Sequence, residues 1–161
     1  MFTTQDLTTA FARNLEIIKL QTAGLTHADS LLQPPFRGNC LNWVLGHIAA
    51  YRGILLELLD QPPFLQQAEA MRYMQGSAPV TCDGPDVVRT EKLLAAIEGS
   101  QERLATGLRR VTPETLSREI ETRLGRMTVG QRLLMLLRHE AYHVGQTELL
   151  RQLAGTDDQV I

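Results

Sequence analysis

Proline divides this chain into a few long blocks and so decides where helices can run. Pro34-Pro35 and Pro62-Pro63 cannot occupy a helix interior, where the ring removes a backbone donor and clashes with the turn before it, and Gly84-Pro85 makes a third break. Between the breaks, apolar residues recur at helical spacing over four stretches, from about Thr4 to Gln33, Leu41 to Leu59, Asp86 to Arg110 and Thr128 to Gly155. Thr128 and Gln131 have the spacing of a capping box, Gly155 is a C-terminal stop, and Gly99-Ser100 marks a kink point in the third stretch. The expected class is all-α, in one domain spanning residues 1–161.

The connections order the helices. The first is short, whereas about 25 residues separate the second and third helices, with a short helix expected around Phe64 to Met74. At about 3.3 Å per extended residue, such a connection can return along a ~30 Å helix, which allows those two helices to be parallel. An up-down-down-up four-helix bundle follows. Thr112-Pro113-Glu114 is expected to form a helical turn. Arg118 to Leu124 alternates weakly and is expected to be extended, without a sheet.

A composition of 43% hydrophobic and 21% charged residues is that of a globular chain. A net charge of -2 without a Lys/Arg run argues against binding nucleic acid or an anionic membrane surface. The start, Met1-Phe2-Thr3-Thr4-Gln5-Asp6, lacks the features of a secretory signal, and no apolar run approaches the ~20 residues that cross a bilayer, so a cytoplasmic protein is expected. Cys40 and Cys82 have no CxxC spacing and are expected as free thiols.

The histidines carry the chemistry. On a helical wheel His139 and His143 lie about 40° apart, in the arc of Met135, Leu136, Leu150 and Leu153, and both face the core. His47 faces inward as well, among Trp43, Val44, Ala50, Tyr51, Ile54 and Leu58. Inward imidazoles need partners for both ring nitrogens. One metal ion is such a partner: the i, i+4 pair reaches it from adjacent turns and His47 from a neighbouring helix, at about 2.0–2.1 Å for zinc, leaving positions open as in catalytic centres. Imidazole ligation suits zinc, nickel, copper and iron alike. Zinc or nickel is expected first, with iron or manganese as alternatives. His27 stands alone on the first helix and is read as a hydrogen-bonded packing residue.

His139-Glu140-Ala141-Tyr142-His143 spells HExxH, the zinc-protease signature in which the glutamate activates water. Few residues follow it, no sheet is expected, and Glu148, the nearest following carboxylate, points away from His139. Glu140 and His143 also form one ExxH, but di-iron bundles need two. A mononuclear site remains. Glu140, toward the edge of the inward arc, is either a catalytic base beside the metal or one half of an ion pair between helices.

Leu41-Asn42-Trp43-Val44-Leu45-Gly46-His47-Ile48-Ala49 and His139-Glu140-Ala141-Tyr142-His143-Val144-Gly145-Gln146 resemble the DinB-like superfamily, the YfiT-like metal-dependent enzymes. The resemblance covers nearly the whole chain in helix order, though its specificity rests on these two segments. It implies an up-down-down-up bundle in which His47, His139 and His143 hold one divalent metal. Gln146, in the shared HxGQ ending, takes by this resemblance a supporting or substrate-binding role, against polar capping within the bundle. Trp43 and Tyr51, one turn either side of His47, either wall a pocket over the metal or belong to the core.

The resemblance implies a function in outline. Members include enzymes that transfer or isomerise substrates with a low-molecular-weight thiol such as mycothiol or bacillithiol, and an open metal position can lower a thiol's pKa and hold the thiolate. The expected activity is therefore a thiol S-transferase acting on a small molecule. The alternatives are a metal-dependent hydrolase, or a non-catalytic metal-binding bundle of the stress response. The family name reflects induction by DNA damage and does not imply DNA binding. Leu41, Leu45, Ile48, Leu56 and Leu59 make the second helix apolar on its other side too, which predicts a homodimer packed through it unless the 60–85 connection covers them.

Overall fold

The computed structural model describes residues 3–156, and the chain is mostly helical. Met1 and Phe2, in the start compared above with a secretory signal, and residues 157–161, at the end of the expected domain, lie outside the described residues. Four long helices, α1 (Thr4–Thr22), α3 (Leu41–Leu58), α5 (Thr90–Arg109) and α7 (Val129–Arg151), correspond to the four periodic stretches. α1 packs on α5 and α7, and α3 packs on the same two. None of the described helices is long and apolar enough to cross a membrane.

Local chemistry sets the ends. Thr3 and Asp6 cap α1 reciprocally, and Thr128 and Gln131 cap α7 in the expected manner. The first stretch does not reach Gln33. It stops at Thr22, turns through Gly24 with φ of 76°, a conformation that only glycine adopts without cost, and restarts as α2 (His27–Ser30) from a second capping box, Thr26 and Asp29. α4 (Gln67–Met71) is shorter than the helix expected there, and α6 (Pro113–Ser117) begins at the N-cap Thr112. α5 starts at Thr90 rather than near Asp86 and runs as one helix, with the Phe64 ring seated over Gly99.

The absence of a sheet was a wrong expectation. Strands β1 (Glu119–Thr122) and β2 (Gly125–Thr128) pair antiparallel, with Ile120 opposite Met127 and Thr122 opposite Gly125. β1 alternates in burial over only four residues and β2 does not alternate, so little in the pattern signals a sheet. Their turn carries Arg123 and Leu124 to the side of α7, where both line a cleft described below.

α3 is buried on nearly all sides within this one chain. Leu41, Leu45, Ile48, Leu56 and Leu59 are all buried, packed in part against Leu65, Tyr73, Val80 and Val88 of the connection to α5. The apolar surface that predicted a homodimer through this helix is therefore covered from within. Connections normally run over the surface; this one serves as a fifth layer of packing.

The core has two apolar parts with a polar layer between them. One contains Ile18, Ile48, Ile97 and Val144, the other Phe11, Leu55, Leu104 and Leu136. Between these residues along the four helices lie Asn14, Arg52, Ser100 and Glu140, all buried. Arg52 donates from Nε and Nη2 to the two oxygens of Glu140, both at 2.8 Å, and Asn14 donates to the same carboxylate at 3.1 Å. The remaining guanidinium donors reach the carbonyls of Phe11 and Ile97 and the Ser100 hydroxyl. One side chain of α3 thus bonds to the other three long helices.

Candidate metal centre

α3 and α7 bring His47, His139 and His143 together, with one nitrogen of each ring within 4.8 Å of the others. His47 and His143 ring centroids are 4.6 Å apart, as are those of His139 and His143. Among the described residues this group has three members, without a carboxylate or thiol joining it. Cys40 is buried and Cys82 exposed, both free. His27 is elsewhere: its Nδ1 accepts from the backbone N–H of Thr90 at the start of α5, and its Nε2 lies 3.3 Å from Asp83.

The far nitrogens orient the near ones. His47 Nδ1 donates to the Tyr73 carbonyl at 2.6 Å, which fixes its tautomer and leaves Nε2 bare toward the cluster. His143 Nδ1 donates to Gln146 Oε1 at 2.7 Å with the same effect. Such backing by a carbonyl or amide is the usual companion of metal-ligating histidine. Burial pushes His47 down to about 4, against the Tyr73 hydrogen bond. Burial also brings His139 to about 4, helped by the charges of His143, His47 and Arg132. Burial lowers His143 too, against Gln146. Neutral rings are the form that binds a cation.

The donor set fits a metal on a further ground. His47 Nε2 and His139 Nε2 face each other at 3.0 Å, and His139 Nδ1 is buried without a hydrogen-bond partner. If His139 carries its proton on Nε2, the Nδ1 lone pair is unsatisfied. If the proton is on Nδ1, that donor is unsatisfied and two lone pairs oppose each other. A cation between the facing nitrogens removes the second, repulsive arrangement.

Of the other residues singled out from the sequence, Trp43, Tyr51 and Gln146 are at the cluster and Glu140 is not. Trp43 stacks on His47 at 4.6 Å and Tyr51 on His139 at 4.2 Å. Glu140 is turned into the polar layer, with both oxygens occupied by Arg52 and Asn14, so of the two roles open to it the ion pair is the one observed. The histidines lie on the wall of a cleft of about 1180 Å³, bounded by α3, α7 and the hairpin turn, with the exposed side chains of Phe36, Leu124, Tyr142 and Leu149 at its rim.

Two contributors were not singled out. Tyr73, fully buried, supplies the carbonyl behind His47, while its hydroxyl donates to Asn42 and accepts from the Val88 N–H. Its ring lies so close over Gly46 that a Cβ there would fall inside it. A glycine beside an inward histidine was the available signal, but its partner is distant in sequence. Gly46→Ala is expected to lower thermal stability and metal affinity together. Overpacking costs about 1–3 kcal/mol, against roughly 1 kcal/mol that alanine gains in helix propensity. Thermal melts with and without added zinc measure both effects, and a variant matching the parent in both would show that Tyr73 can move freely.

Residues 5–147 match the family model of the DinB superfamily. Among solved structures, a conserved protein from Enterococcus faecalis superposes with a TM-score of 0.74 at 21% identity, over 97% of this chain and 99% of that one. The mycothiol-dependent maleylpyruvate isomerase and a mutant form of it superpose with a TM-score of 0.59, at 17% and 16% identity, over 90% of this chain and 62% of theirs. This chain thus spans less than two thirds of the isomerase, and at such identities the likeness is one of fold. A search of curated proteins finds no match. The family match runs from α1 into α7 and takes in all three histidines, and on that ground the chain belongs to the DinB superfamily.

Proposed function

We propose that this protein is a metal-dependent enzyme that transfers a low-molecular-weight thiol to a small electrophile. The observation that carries the reading is a three-histidine cluster on the wall of a large cleft, with no fourth protein ligand among the described residues. A fourth ligand would close the centre and favour a structural role. His47, His139 and His143 would hold the ion, Tyr73 and Gln146 orient His47 and His143, and Trp43 and Tyr51 shield the cluster from water. The metal supplies Lewis acidity, which lowers the pKa of a thiol or a water at the open position. The S–H bond breaks with its proton passing to solvent, and the thiolate sulfur forms a carbon–sulfur bond with the acceptor as that carbon's bond to its leaving group breaks, the group departing with the electron pair. A cleft of about 1180 Å³ exceeds the roughly 300–1,000 Å³ of a single-ligand pocket and has room for both reactants.

The proposal includes an up-down-down-up bundle in one cytoplasmic domain. The direction is supported by paired bonds. Asn14–Glu140 and Gln21–Thr147 share a separation of 126, as parallel helices require, and Asn42–Thr90 and Arg52–Ser100 share one of 48. Between α1 and α5 the separations diverge, 79 for Lys19–Glu98 and 93 for Thr8–Gln101, which fits antiparallel packing. The two free cysteines agree with a reducing compartment.

The test is consumption of a thiol panel in the presence of an electrophilic acceptor, by metal-loaded and chelator-stripped protein. Metal-dependent, saturable loss of one thiol is expected. Ester hydrolysis without thiol consumption would move the reading to a hydrolase, and a loaded protein inert in both assays would make it a binding protein.

A further inference from the structure

We propose that arginines lining the cleft form a carboxylate-binding site, so that the small molecule handled at the histidines is an anion. This rests on reading the cleft as the substrate site. The whole chain is slightly acidic, with 16 Lys and Arg against 18 Asp and Glu. The cleft reverses that balance: Arg37, Arg123, Arg132 and Arg138 line it against Glu57 and Glu121. Glu121 is already held by Arg126 at 2.8 Å, whereas none of the four arginines is in an ion pair among the described residues.

Two of the four come from different elements toward His139. Arg132 stands seven residues before it, two turns away on the same face of α7, and lines the same cleft as His139. Arg123, in the hairpin turn, has only neutral partners, the Tyr51 hydroxyl at 3.4 Å and Gln75 Oε1 at 3.5 Å, and the Tyr51 ring stacks on His139. Unpaired cations of one sign on a concave wall focus the field and attract anions. The guanidinium fork matches the two oxygens of a carboxylate. Two such cations, Arg123 and Arg132, suit a dicarboxylate.

Titration calorimetry of metal-loaded protein with succinate, and with uncharged succinamide, tests the site. Saturable binding of succinate alone is expected, weakened about tenfold in Arg123→Gln and in Arg132→Gln by loss of a charge-assisted pair, and partly restored in Arg132→Lys. Equal binding of succinate and succinamide, arginine variants that bind like the parent, or inorganic phosphate binding more tightly than succinate would each overturn it. Metal-free His143→Ala protein separates this proposal from the one it rests on. Succinate binding that persists in this variant stands on the arginines alone, and succinate binding by a parent protein that takes up no metal keeps the anion site and rejects the metal enzyme. Metal loading without succinate binding does the reverse. Mercaptosuccinate then identifies the source: a gain over succinate that needs His143 puts the carboxylates on the thiol, and equal affinity puts them on the acceptor, the site standing in both cases.

Discussion

Arg52→Met is expected to lower the free energy of unfolding by about 3–5 kcal/mol, the cost of leaving one partner of a buried ion pair without the other. Arg52 is 1% exposed and Glu140 4%, so water cannot replace the lost contacts. The variant strands the Glu140 carboxylate with Asn14 as its one remaining donor, and also frees the carbonyls of Phe11 and Ile97. Glu140→Gln should be similarly costly, because the guanidinium then keeps its charge without a counterion. Replacing both residues by apolar ones should recover much of the loss, since the desolvation of both charges disappears together. Urea midpoints of the two single variants and the double variant give the coupling directly. The same experiment decides the role of the glutamate in HEAYH. An ion-pair glutamate loses stability and keeps metal in its folded fraction, whereas a catalytic base would show a parent-like midpoint and lose turnover alone.

The sequence made the cluster legible because two helical wheels suffice for it. His139 and His143 share an arc by spacing, and His47 faces inward on a helix bounded by proline pairs. Glu140 was harder to place. A wheel puts it at the edge of the inward arc, but only packing shows that α1 and α5 lie on that side and that Arg52 waits there. Tyr73 and Gly46 were illegible for a related reason: the ring comes from a connection whose path no periodicity describes. The break after Thr22 did have a local signal, Gly24 followed by the Thr26–Asp29 capping box, which continued apolar spacing concealed. The hairpin had almost none, yet it brings Arg123 to the cleft. The parts that short-range chemistry determines were readable, and those set by which surfaces meet were not.

The other large effect is expected at the histidines. Gently purified protein should carry close to one divalent metal per chain, and His143→Ala should carry almost none while staying folded, because the ring is at the cleft wall rather than in the polar layer that joins the helices. Binding to the native state alone stabilises it by RT ln(1 + [L]/Kd), about 4 kcal/mol at a thousandfold excess over Kd. At roughly 2–4 °C per kcal/mol for a chain of this size, stripping the metal should lower the melting temperature by about 8–16 °C in the parent and hardly at all in the variant. Gln146→Ala keeps all three ligands and removes only the acceptor behind His143, so it should load metal with about 10–100-fold weaker affinity. That ordering, parent above Gln146→Ala above His143→Ala, separates a metal centre from a cluster of packed imidazoles. Packed rings would give no metal dependence in any of the three proteins. In that case His143→Ala would change stability only through the lost packing and the lost Gln146 hydrogen bond, by the same amount with and without added metal.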